Sequence, residues 1–245
     1  MARSYTIQGR PVEMPCRVRR ATSGAATFLV RSAAARTLLP SDELEVVELL
    51  PGRALASLAC IDYRDNDLGD YHEISLALFV RERRAPAGVP WLGAAVDLAR
   101  NRLATCILRL PVNQTFTCEA GRRIWGFPKV VHEIEFAYEP TRATCTWRAE
   151  GRSVLTAILP RGGARTLPEA AMTTYTVIDG RLHRTRFSTG ADGFGFRFGA
   201  AGGFGLALGD HPVAGELRGL GLPRAPLMTT WMETMHGRFE APEPV

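Results

Sequence analysis

Along the chain, apolar and polar residues mostly alternate with period two, the spacing that sends successive side chains to opposite faces of a strand. Segments 44–50 (LEVVELL), 54–63 (ALASLACIDY) and 74–83 (ISLALFVRER) are apolar and partly alternating, and Pro51-Gly52 marks a turn between the first two. The polar stretch 64–73 (RDNDLGDYHE) predicts a glycine-containing loop. Segments 133–139, 144–150 and 153–160 predict a meander with Gly151-Arg152 in its tight turn. Segment 173–187 predicts a hairpin, because Asp179-Gly180 suits a type I′ turn, which needs positive φ at both central residues. The glycine-rich segments 193–199 (GFGFRFG) and 203–209 (GFGLALG) predict another strand pair, and 227–239 a last long strand.

Helical spacing is rarer. Segment 32–39 predicts a short helix ending at Pro40, segment 91–104 has a helical apolar period, and 113–125 shows a weaker one. Asp210 is placed to cap a helix over 213–220, with Pro212 near its first turn. No repeat, low-complexity tract or linker interrupts the chain. The pattern predicts an α+β protein of one domain, residues 1–245. A large, mostly antiparallel sheet curls into a cone or barrel, with few peripheral helices.

Composition narrows the class. The 245 residues are 46 % hydrophobic and 22 % charged, ordinary globular values. No apolar run reaches the roughly 18 residues that span a bilayer. Residues 1–15 lack the apolar core of a signal peptide, so a cytoplasmic location without membrane contact is expected. Cys16, Cys60, Cys106, Cys118 and Cys145 are widely spaced with no CxxC pair, the pattern of reduced thiols. The net charge of +5 suggests a nucleic-acid partner, but the arginines are scattered among acidic residues. The dense clusters 16–20 and 81–84 have no interleaved aromatics, and nucleic-acid binding is not expected. There is no GxGxxG fingerprint, phosphate loop or HExxH, and the five histidines lack ligand-like spacing, so neither metal nor cofactor is expected.

One feature of composition points to chemistry. Of 30 basic residues, a single one is lysine, Lys129, and the rest are arginine. Arginine serves ion pairs and phosphate contacts but does not readily give up its proton. A lysine amine can, and can then attack a carbonyl. Phe127, Pro128, Val130 and Val131 flank Lys129, so a strand entering the core here would desolvate the amine, which favours its neutral form. Pro128 fixes its own φ and biases Phe127 away from helix, which aims the lysine.

In GRRIWGFPK, the residues Gly121-Arg122, Phe127 and Pro128-Lys129 resemble the nucleophile segment of the acetoacetate decarboxylase superfamily. A second segment, DLGDYHE (67–73), resembles that family's loop ending in a catalytic glutamate, here Glu73. The resemblance runs from about residue 10 to the C-terminus. It implies a cone-shaped antiparallel fold, a deep pocket, a small-molecule keto acid as substrate and a homo-oligomer. It also implies a Schiff base at Lys129, with Glu73 moving protons or orienting the carbinolamine. Arg122 is then a clamp for the substrate carboxylate or a structural ion-pair residue. Tyr63, Gln114 and Trp125 are candidate pocket residues by nearness to the two motifs. His72 is left out, because alternation turns it to the face opposite Glu73.

Three positions depart from the family pattern. Val130 stands where the decarboxylases carry a second lysine. The family's arginine near the first strand has no counterpart around Ala21 to Ala25, and Leu58 falls where an acidic pocket residue is expected. Val130 leaves desolvation rather than cation repulsion to activate Lys129. The expected function is therefore a Schiff-base lyase acting on a keto acid. The alternatives are aldolase-dehydratase or cyclase chemistry on a 2-keto acid with the same lysine, or a non-catalytic relative that binds a hydrophobic ligand.

Overall fold

The computed structural model describes residues 3–84, 92–100, 102–199 and 203–245. A hairpin of β1 (Ser4–Ile7) and β2 (Arg10–Glu13) leads into the long β3 (Cys16–Arg31) and the short helix α1 (Ser32–Arg36). The strands β4 (Leu44–Val46) and β5 (Glu48–Leu50) precede the antiparallel pair β6 (Arg53–Asn66) and β7 (Tyr71–Glu82). Then come α2 (Leu92–Ala99), β8 (Ala104–Val112), α3 (Thr115–Trp125) and β9 (Lys129–Val131). A meander of β10 (Glu133–Tyr138), β11 (Arg142–Ala149) and β12 (Arg152–Pro160) is followed by the long hairpin β13 (Arg165–Ile178) and β14 (Arg181–Phe198). The chain finishes with β15 (Gly205–Leu208), α4 (Pro212–Leu220), β16 (Met228–Phe239) and β17 (Glu243–Pro244).

Seven strands close into a ring in the order β7-β6-β3-β16-β14-β13-β8, with β8 pairing back onto β7. Closure leaves no free edge along most of the sheet. All neighbours are antiparallel except β13 and β8, which meet in parallel at Thr174↔Thr105 and Tyr175↔Cys106. Beyond that contact β9 takes over the same edge of β8, also in parallel, with Leu110 opposite Lys129. Lys129 thus sits where β8 changes partners.

A four-stranded sheet, β10-β11-β12-β15, packs on the outer face of the ring. There Ala26, Phe28, Leu58, Cys60 and Ile74 join Trp147, Leu155 and Leu159 in the main core. Gly24 permits the close approach: a Cβ would stand 2.9 Å from the Trp231 ring and 3.0 Å from Leu159. The inner face, on the alternate residues, carries a second apolar cluster that draws on β1, β2 and α3 and includes Val12, Tyr63, Tyr71, Leu110, Phe116 and Ile124. Among the described residues no helix is long and apolar enough to cross a membrane.

The expected α+β, barrel-like architecture is present, with corrections in detail. Segment 44–50 breaks at Val47 into β4 and β5. The expected loop 64–73 shrinks, because β6 continues to Asn66 and β7 starts at Tyr71. The meander turn falls on Glu150-Gly151, both at positive φ, one residue before the expected place. Asp179 and Gly180 both take positive φ, as the type I′ hairpin requires. The segments 193–199 and 203–209 do not pair: the first, as the end of β14, lies on β16, and β15 lies on β12. His211, not Asp210, caps α4, accepting the Val213 amide at 3.3 Å. Of the helix expected over 91–104, residues 91 and 101 lie outside the described residues, and Ala104 already belongs to β8. Strand β3 was not anticipated. Its run of Ala, Ser, Thr and Gly has little contrast between faces, which is what period-two reading needs.

Candidate active site

Four elements bring the site together. Strand β7 presents Tyr71 and Glu73 on the inner face, and β6 presents Tyr63 opposite Tyr71 in the register. Helix α3 approaches the ring and offers Thr117 and Gly121, one turn apart on the same side. Strand β9 begins at Lys129, immediately after the αL cap Gly126 and Pro128 turn the chain out of α3. Gly126 must be glycine twice over: its φ is +67°, and a Cβ would lie 2.6 Å from Ile178.

Lys129 and Glu73 are each only 5 % exposed, and Lys129 Nζ lies 2.8 Å from Glu73 Oε2. The amine also donates to Thr117 Oγ1 at 3.1 Å and sits 4.8 Å from the centre of the Tyr71 ring. The Tyr63 hydroxyl donates to Glu73 Oε1 at 3.3 Å, and its ring stacks on Tyr71 at 4.4 Å. The lysine stem lies against Gly121, where a Cβ would stand 2.5 Å from Lys129 Cδ. The amine is buried, as the flanks led one to expect, but Val130 and Val131 do not surround it: they are exposed, at 40 % and 46 %, and its neighbours are a carboxylate, a hydroxyl and an aromatic ring. Buried charges persist only when paired and hydrogen-bonded, and both conditions are met here.

Burial raises the phenols of Tyr63 and Tyr71 well above their ordinary range, and the Glu73 charge pushes the same way. Both therefore remain proton donors at neutral pH. Burial, reinforced by Asp67, pushes the Cys16 thiol up to about 12 against the opposing charge of Lys129. That thiol stays protonated and does not compete with the amine as a nucleophile.

The remaining expected site residues fall in different places. Glu73 is not on a loop but inside β7, where alternation buries it. Gln114 is the N-cap of α3: its side chain accepts the Thr117 amide at 2.7 Å and donates to the Leu68 carbonyl at 3.4 Å. It reaches the amine only through Thr117. Trp125 is buried, donates to the Glu240 carbonyl at 2.9 Å and stacks on Phe127 at 5.8 Å, so it anchors the end of α3. Arg122 is exposed, whereas Lys129 and Glu73 are buried, and no ion pair joins it to Glu73 among the described residues. Leu58 packs in the outer core, so the inner-face residue opposite Glu73 is Ile61. His72 is indeed on the other face, beside Asp62. Sequence reading missed Thr117 and Tyr71, and named Gly121 only as part of the motif, without its contact with the lysine stem. The helical period of 113–125 held a signal for Thr117 and Gly121, four residues apart and facing one way. Among the described residues no group of three His, Cys, Asp or Glu is disposed to hold a metal.

A closed, mostly antiparallel ring with a flanking small sheet and an inward lysine is an acetoacetate decarboxylase-like fold. A family model described as acetoacetate decarboxylase matches residues 6–198, and the chain belongs to that family. The chain is similar to the acetoacetate decarboxylase of Legionella pneumophila subsp. pneumophila str. Philadelphia 1, with 14 % identity, TM-score 0.67, and 94 % of this chain and 87 % of that one covered. It is also similar to the enduracididine biosynthesis enzyme MppR complexed with pyruvate, at 14 % identity and TM-score 0.59, with 92 % and 88 % covered. At these identities the likeness is one of fold. No curated protein matches the sequence.

Proposed function

We propose that this protein is a Schiff-base-forming lyase acting on a keto acid, with Lys129 as nucleophile and Glu73 as proton carrier. The observation behind this reading is the buried contact of 2.8 Å between Lys129 Nζ and Glu73 Oε2. Glu73 takes a proton from the ammonium, and the free amine attacks the ketone carbon. The carbinolamine then loses its hydroxyl as water, with Glu73 returning the proton, and an iminium remains. The iminium accepts the electron pair released when a 3-keto acid loses CO2, giving an enamine that is reprotonated at carbon. Hydrolysis frees the product ketone and the lysine. Thr117 and Tyr63 hold the amine and the carboxylate in register during these transfers.

The same iminium can instead assist loss of an α-proton, which opens aldol and dehydration routes. The likeness to an enzyme complexed with pyruvate lends support to this second reading on a 2-keto acid. A small-molecule keto acid as substrate, no nucleic acid and no membrane, a cytoplasmic setting and a homo-oligomer remain part of the proposal.

The test is borohydride reduction in the presence of 3-keto and 2-keto acids, followed by intact mass and peptide mapping. A stable adduct on Lys129, absent in Lys129→Ala, is the expected result. An adduct mass lacking CO2 marks decarboxylation, and one retaining it marks the aldol-type route. Keto acids that bind with no adduct would favour the non-catalytic, hydrophobic-ligand reading.

A further inference from the structure

The inner face that carries Glu73 continues away from the reactive pair as a surface of small, uncharged side chains. Register fixes its members: Ile61 lies opposite Glu73, and Ser23 opposite Ile61. From there, alternate residues give Ala59 and Ser57 on β6, facing Ala25 and Thr27 on β3. None is charged. Ile61, Ala59, Ser57 and Ala25 are only half-buried, whereas the intervening Leu58, Cys60 and Ala26 are sealed under the small sheet at 1 %, 0 % and 0 % exposure. Along β7 the same face runs from Glu73 to Phe79. At about 3.3 Å per residue that is roughly 20 Å of track.

A short keto acid would use only its first few ångströms. Ile61, Ala59 and Ala25 stay partly accessible on this face, and an apolar arm laid along them loses water contact. We propose that this face binds an extended alkyl or aryl arm on the carbonyl substrate, so that the preferred keto acid is a medium- or long-chain one. This rests on the imine reading of Lys129.

Keto acids from about four to about twelve carbons would be trapped with borohydride at subsaturating concentration. Lys129 and the ketone lose water to give the iminium, and borohydride delivers hydride to its carbon, fixing a secondary amine that intact mass detects. The trapping rate should rise roughly fourfold with each added methylene, the increment expected from burying one CH2 group. Ala59→Phe, and independently Ala25→Leu, should lower the long-to-short ratio about tenfold or more. Labelling of Lys129 that ignores chain length, or a ratio unchanged in both folded variants, would overturn the proposal while leaving the imine reading intact. No labelling with any member of the series would remove both.

Discussion

At the residue scale, the site depends on one glycine as much as on its charged pair. The Lys129 stem occupies the space that a side chain at Gly121 would fill, which steers the amine to Thr117 and Glu73. Gly121→Ala forces the stem to move while leaving the helix backbone favourable, since alanine suits a helix better than glycine. Adduct formation on Lys129 should fall about tenfold or more, as displacements of about 1 Å commonly do. The far-UV circular dichroism spectrum should be unchanged. Retention of full trapping activity would mean that the stem has freedom to spare. The single lysine among many arginines was legible in sequence, because it is a matter of composition. Its ion pair with Glu73 was not, because 55 residues of chain separate partners that only strand register brings to 2.8 Å.

At the scale of elements, β6 and β7 carry the buried partners of Lys129 on one face and a polar staple on the other. Directly behind Tyr63 and Glu73 lie Asp62 and His72, paired across the strands. Burial alone would raise the Asp62 carboxyl, but hydrogen bonds from His72, Tyr138 and Arg64 outweigh it and hold the group at about 2. The Asp62 carboxylate in turn raises His72, against the opposing effect of burial. Because the folded value of His72 is raised, its stabilising share is complete below the ordinary histidine value of about 6.5. It is lost as pH rises through the raised value. Thermal melts across that window should therefore show wild type losing its advantage over His72→Gln as pH increases. A difference independent of pH would show that the imidazole stabilises by packing alone, for instance through its edge contact with Phe136 at 5.1 Å.

At the scale of the molecule, the ring has one thin seam. Strands β8 and β13 share two residue pairs, where other neighbours in the ring share longer ladders. Side chains reinforce it: Thr174 Oγ1 donates to the Thr105 carbonyl at 3.2 Å, and Thr174 is 1 % exposed. Local opening is easiest where the fewest bonds must break. Thr174→Val should therefore speed hydrogen exchange at residues 104–107 and 173–176 more than in the β3–β6 ladder, measured by mass spectrometry. Uniform acceleration would indicate global destabilisation instead. The β8 edge released at this seam is the one that β9 occupies, so the opening that weakens the ring also makes the place for Lys129.

The sequence by itself determined the strand-rich class, the long hairpin turning at Asp179-Gly180, helix α3 and the singular place of Lys129 as the one lysine. These rest on local signals, namely period, turn chemistry and a residue type used once, and the last of them singles out Lys129 as a residue without making it a nucleophile. Tertiary structure alone decided which strands are neighbours, and therefore which side chains meet. It made a buried ion pair of Lys129 and Glu73 and brought in Thr117 and Tyr71. It assigned Gln114 and Trp125 to capping and anchoring, and sent Leu58 and Ile61 to opposite faces. The physical reason is that pairing between distant strands fixes facing residues through register, and a shift of one residue exchanges every inward side chain for an outward one.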